Sequence, residues 1–240
     1  LVAGKTVLRL LPPLIISVFF LFVYEASLSG AANFFLAGQS YLGFILPLSV
    51  VSAALSGAGV AGQSIVRDIE SGYFDKLMLT PISRVALVLG PMVAGAILLG
   101  VQTLLLIIIA LLMGLEPATG VLGLFGVLGF SMLLGLAFSG FTIGVALRSG
   151  SAGATQGAGF LFFPLSFLTA TFVPLNLLTG WIKVAATYNP ITYILEAMRA
   201  IVNTGWDGEV LLRGLGAISL MAVVLYVFAF TSLSARTKRK

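Results

Sequence analysis

The residues of this chain that can do chemistry are few, and they gather in two places. Cysteine and histidine are both absent from the 240 residues. Disulfides, thiolate nucleophiles, Cys/His metal sites and His-based triads are therefore excluded. Gly4-Lys5-Thr6 matches the end of a phosphate-binding loop, but the first glycine of that motif would precede Leu1 and no strand leads into it. The match reads as chance, so any nucleotide chemistry has to come from a partner. The first gathering lies in residues 67–84: Arg67, Asp68, Glu70, Asp75, Lys76 and Arg84, with Gly72, Tyr73, Leu77, Thr80 and Pro81 among them. The second lies in residues 176–206 and holds Trp181, Asn189, Pro190, Tyr193, Glu196 and Arg199. The chemistry on offer is contact and charge pairing, and no enzymatic activity is expected of the chain itself.

What must position these residues is set by composition. Lys and Arg number 13 and Asp and Glu 8, so only 9% of the chain is charged, while 59% is apolar. Ordinary soluble domains carry about 25% charged residues. With a mean hydropathy of +1.14, too few charges remain to cover a water-exposed surface. Disorder is excluded as well, since it needs low hydrophobicity and high net charge. Charge-free runs occupy 10–24, 26–66, 85–115, 117–147, 149–182 and 214–235. A helical crossing of the hydrocarbon needs about 20 residues. The runs predict six membrane helices near 10–26, 40–65, 83–113, 119–147, 153–175 and 210–234, with Ala26–Ser40 as a loop. A barrel would need polar and apolar residues to alternate, and Leu104–Met113 shows no alternation. The expectation is an all-α, polytopic membrane domain covering 1–240.

Lys and Arg set the orientation. With the N-terminus inside, ten lie inside (Lys5, Arg9, Arg67, Lys76, Arg84, Arg148, Arg236, Lys238, Arg239, Lys240) and three outside (Lys183, Arg199, Arg213). Both termini are expected in the cytoplasm. No ionisable residue falls mid-span, which argues against proton- or ion-coupled carriers and charged-ring channel filters. Neutral polar groups do fall within the spans. Ser52, Ser56, Gln63 and Gln156 are the candidates for lining a substrate path, which would suit a bulky apolar or amphipathic molecule. Gly140-x-x-x-Gly144, Gly153-x-x-x-Gly157 and Ala53-x-x-x-Gly57-x-x-x-Ala61 let backbones approach closely, and intramolecular packing is the expected use.

Within 67–84, Ile69, Tyr73 and Leu77 recur every fourth residue beside Phe74 and Met78, so a short amphipathic helix is expected over 67–79. Gly72 permits a bend in it. Thr80 suits the N-cap of the third span, with Pro81 at its first position. Its alternative is a solvated loop helix without a partner. On the other side, Asn189-Pro190 signals a helix start. Ile191, Ile194, Leu195, Met198, Ile201 and Val202 continue it with helical spacing. Residues 190–202 make about 20 Å of helix, too short to cross, so this element should lie in the interface or re-enter the bundle. Trp181, Tyr188, Tyr193 and Trp206 fit an aromatic belt. Glu196 and Arg199 can pair on the helix surface.

These two segments, set between these spans, resemble those of the permease subunit of ABC type-2 exporters, in particular the daunorubicin-resistance-like bacterial branch. Glu70, Gly72, Asp75, Leu77, Thr80, Pro81, Ser83 and Arg84 match the family's loop after its second span, with Asp75 where Glu is commoner. Pro174, Trp181, Asn189, Pro190, Tyr193, Glu196 and Arg199 match its stretch before the last span. The resemblance implies a bacterial plasma-membrane protein, paired with a second permease copy and with cytoplasmic ABC ATPase subunits. Those subunits would bind ATP and Mg; this chain would hold no cofactor, and nucleic acid is not an expected partner. It also implies that 67–79 is a coupling helix, that the outer helices of 176–206 gate the path, and that the cargo is a hydrophobic or amphipathic drug-like compound. The family's helix before the first span would be represented only by Leu1–Leu11, which implies a trimmed start. Export of a lipid or glycolipid-linked polymer is the alternative within the family. A non-transporting membrane assembly factor is the alternative outside it.

Overall fold

The computed structural model describes residues 2–32, 36, 40–81, 83–160, 162–169 and 174–238. The described elements are all helical. Helix α1 (Val2–Ala32) is followed by α2 (Tyr41–Glu70), α3 (Tyr73–Met78), α4 (Arg84–Leu112) and α5 (Gly120–Ser149). Then come α6 (Ala152–Phe160), α7 (Phe162–Phe167), a 3-10 turn (Leu175–Leu177), α8 (Gly180–Tyr188), α9 (Pro190–Arg199), a π turn (Ala200–Thr204) and α10 (Gly208–Lys238).

Helices α2, α4, α5 and α10 are each long and apolar enough to cross a membrane. In α1 the apolar stretch Leu14–Ser27 is shorter. The helix itself runs to Ala32, six residues beyond the expected span end. Its polar tail, Ala26–Ala32, carries Ala and Leu, which favour helix whether or not they are buried. The expected fifth span, 153–175, falls partly on 161 and 170–173, which lie outside the described residues. Its described part forms α6 and α7, of nine and six residues, and neither reaches across hydrocarbon alone.

Helix α5 is the centre of the bundle, packing on α10, α2 and α4. Its small residues make this possible. A Cβ on Gly144 would sit 2.5 Å from the Phe228 ring, and one on Gly135 would sit 3.1 Å from the Ala96 Cα. The Gly140/Gly144 stripe is therefore used within the chain, against α10. One core cluster joins α2, α5, α9 and α10 around Ile45, Leu134, Phe138, Ile191 and Ile194. A second, smaller one lies at the opposite end of the bundle, around Ile65, Phe74, Met92 and Leu147.

Candidate functional site

The two charged segments of the sequence sit at opposite ends of this bundle. At the first, α2 runs on to Glu70 and is closed by Ser71, whose N–H donates to the Arg67 carbonyl at 2.9 Å. Gly72 then adopts φ +69°, a left-handed conformation that L side chains rarely take. Helix α3 starts directly after it. The expected single helix over 67–79 is thus two pieces joined at Gly72. The turn resets the helical phase, and the buried face changes with it. Phe74 is 3% exposed within the second, smaller core cluster, and Ile69 and Met78 pack against that cluster. Tyr73, expected on the apolar stripe, points out and is exposed. Leu77 is half-buried.

The exposed face of this end is therefore Arg67, Glu70, Tyr73, Lys76, Thr80, Pro81 and, at 89%, Leu79. Asp68 and Asp75 are half-buried beside it. Thr80 does not cap α4: its hydroxyl donates to the Leu77 carbonyl at 2.6 Å, closing α3, and Ser83 is the N-cap residue of α4. Thr80 has already turned back on its own helix, so the chain needs three more residues before α4 can begin.

Two arginines that the sequence marks only as inside charges brace this end. Arg236, in the last turn of α10, donates from Nη1 to the Leu147 carbonyl at 3.1 Å, and its guanidinium lies 5.9 Å from the Phe74 ring centroid. A cation on the open carbonyls of a helix C-terminus is favourable. Arg148 donates from Nε to Ser232 Oγ at 2.9 Å and stacks 4.8 Å from the Phe228 centroid. The ends of α5 and α10 and the short α3 are thereby tied together. No local pattern signals this, because the contacts join residues eighty or more positions apart.

At the other end, Asn189 is the N-cap of α9, accepting from the Ile191 N–H at 3.0 Å, and Pro190 is the first helical residue. The Asn189 side chain does more. It is 4% exposed, and its Nδ2 donates to the carbonyls of Leu165 at 2.7 Å and Leu168 at 2.9 Å. One amide thus holds the end of α7 to the start of α9. Tyr193 donates its hydroxyl to the Thr187 carbonyl at 2.7 Å, joining α9 to α8. Trp181 on α8 is exposed, as a belt residue should be.

Arg199 lies inside the bundle and not on the surface, where pairing with Glu196 is expected. It is 7% exposed, its Nε donates to the Phe44 carbonyl at 2.9 Å, and its guanidinium lies 3.5 Å from the Phe44 ring centroid. The reason is packing: α9 lies against the start of α2, and position 199 falls on that inner face. Glu196 remains half-buried, and burial pushes its carboxyl up while Arg199 and Arg213 oppose the shift. After Arg199 the helix widens into the π turn. The carbonyls of Ile201 and Val202 there accept from Thr119 Oγ1 at 2.6 Å and the Ala118 N–H at 2.7 Å. Asn203 donates to the Ser40 carbonyl at 3.2 Å. The expected helix over 190–202 is present, then, but welded to α2 and to the α4–α5 loop.

Of the path candidates, the structure brings two together. Gln63 on α2 donates from Nε2 to Gln156 Oε1 on α6 at 3.0 Å. Ser52 is half-buried one face further along α2. The side chain of Ser56 lies outside the described residues.

Comparison with known proteins gives this geometry a context. The profile of the family described as ABC-2 type transporter matches residues 3–203. A protein of Mycobacterium tuberculosis named "Probable doxorubicin resistance ABC transporter permease protein DrrC" is 24% identical over 192 residues, 80% of this chain and 69% of that one. The "Daunorubicin resistance ABC transporter permease protein DrrB1" of Streptomyces coeruleorubidus is 24% identical over 217 residues, 88% of this chain and 75% of that one.

Proposed function

Because the chain belongs to the ABC-2 type transporter family, we propose that it is the membrane permease of an ATP-driven exporter, one that moves a hydrophobic or amphipathic compound out of the cell. The observation that carries this reading is the short, braced α3. It is fixed to the bundle by Phe74 and Arg236 and presents Tyr73, Lys76 and Leu79 outward. An exposed leucine and tyrosine beside mixed charges suit a protein partner better than bare solvent. That partner is a cytoplasmic ABC ATPase subunit, which binds ATP and Mg. A second copy of the permease completes the pathway. Six crossings, with both termini in the cytoplasm, put α3 on the ATPase side and α8 and α9 on the outer side. The ATPase pushes on α3, and Gly72 on one side and Thr80-Pro81 on the other pass the motion to α2 and α4. The drug-resistance names of the relatives support an amphipathic drug-like cargo. The absence of mid-span charges in the sequence supports it too, since a path along Gln63, Gln156 and Ser52 would offer neutral hydrogen bonds only.

The test is reconstitution of the permease with its cognate ATPase in vesicles and measurement of ATP-dependent movement across a panel of amphipathic drugs and lipids. Movement of a drug supports the reading. Movement of lipid-linked polymers alone redirects the cargo, and no movement with a bound, active ATPase argues for an assembly factor.

A further inference from the structure

A groove of about 530 Å³ runs between the start of α9 and the outward face of α10. Its floor is apolar: Gly216, Ala217, Leu220, Met221, Val224 and Leu225. Its mouth, at the Gly208 end of α10, carries Tyr188, Tyr193 and Arg213. Leu220 and Val224 on that floor, and Val223 and Val227 on the same helix, are all exposed. In a membrane helix such a face meets lipid, so the groove opens sideways into hydrocarbon.

We propose that this groove holds one anionic phospholipid. An acyl chain lies along Gly216, Leu220 and Val224, and the phosphate sits at Arg213 between Tyr188 and Tyr193. Three observations support the assignment. The first is length. Arg213 to Val224 spans about 16 Å of helix, close to half of the roughly 30 Å hydrocarbon core, so the groove has the depth of a single leaflet. The second is position. Tyr188, Trp181 and Trp206 are exposed at the same end, which sets the mouth at the headgroup level. The third is charge. Arg213 pairs with Glu209 one turn away, both side chains being well exposed, and its charge also reaches Glu196 on α9. An exposed pair of this kind holds its arginine weakly, while a guanidinium binds phosphate oxygens in bidentate fashion. The assignment rests on the membrane location of the chain and not on export, so its failure would leave the export reading untouched.

The test is native mass spectrometry of the full chain released from detergent, supplied with equal amounts of dioleoyl phosphatidylglycerol and dioleoyl phosphatidylcholine. Wild type should retain one phosphatidylglycerol per chain. Losing a charged hydrogen bond of about 1.5–3 kcal/mol should cut the preference for phosphatidylglycerol about tenfold or more in Arg213→Gln. Gly216→Phe should abolish retention of either lipid. A Cβ at Gly216 meets nothing within 4 Å, and Gly216 lines the groove, so a ring there takes up space that an acyl chain would need. Unchanged retention in Gly216→Phe, or an unchanged headgroup preference in Arg213→Gln, overturns the proposal. A change of oligomeric state in Gly216→Phe would assign the groove to a second copy and overturn it as well. If Gly216→Phe does not accumulate, Arg213→Gln decides alone.

Discussion

Asn189 carries three hydrogen bonds on one buried amide, and it concentrates what single residues contribute to the outer end. Asn189→Ala removes a helix cap and strands two carbonyls at once. A lost cap costs about 1 kcal/mol and each lost hydrogen bond about as much again. A loss of roughly 2–3 kcal/mol is expected, read as a lower midpoint in detergent denaturation. Asn189→Asp keeps the cap but places an acceptor against the carbonyls of Leu165 and Leu168, so it should not rescue. At the other end, Gly72 is required by its backbone alone, because a Cβ there meets nothing within 4 Å. Gly72→Ala should therefore cost only about 1 kcal/mol of left-handed strain. Gly72→Pro, whose ring fixes φ near −65°, should displace α3 altogether. An equal effect of the two variants on ATPase co-purification would mean that the Gly72 conformation is not what orients α3.

Helix α3 is too short to be stable by itself, since isolated helices under about a dozen residues are marginal in water. Phe74 must hold it. Phe74→Ala should cost about 3 kcal/mol or more at that site and release α3 while the four long helices stay folded. Faster amide exchange confined to residues 73–80 would show it; exchange spread through α4 and α5 would show that Phe74 belongs to the main core instead. Two charges on or next to this element, Glu70 and Asp75, should matter for the partner and not for the fold. Glu70→Ala and Asp75→Ala should insert normally yet lose binding of the ATPase, each by about 2–5 kcal/mol where the contact is buried. The difference between the two helical segments also explains what was legible beforehand. The start of α9 is a local event, an Asn cap and a Pro at the first position, and could be read directly from Asn189-Pro190. The face of α3 could not, because one left-handed residue shifts the phase by which Tyr73 or Phe74 is judged. The burial of Arg199 and the π turn beyond it depend on Phe44, Ser40 and Thr119, all distant in sequence, and no spacing rule reaches them. Four long spans were plain from their charge-free runs. The Ala26–Ala32 tail of α1 was not, since polar residues do not stop a helix.

The whole molecule is expected to be polar across the membrane: α3 and the arginine-braced ends of α5 and α10 on the cytoplasmic side, and α8, α9 and the π turn on the outer side. The chain has no cysteine, so single ones report position cleanly. Thr187→Cys should react with an impermeant thiol reagent in intact cells and Ser71→Cys should not; both positions are exposed on the bundle. The reverse pattern would invert the orientation and remove α3 from reach of any ATPase. The central claim is that ATPase motion enters through α3 and drives export. The most direct measurement is ATP-dependent uptake of a fluorescent amphipathic drug into inside-out vesicles that hold the permease and its cognate ATPase, with wild type and Asp75→Ala compared at equal amounts of inserted protein. Wild type should take up the drug and Asp75→Ala little or none, together with loss of the bound ATPase. Wild-type uptake by Asp75→Ala, with the ATPase still bound, would contradict it.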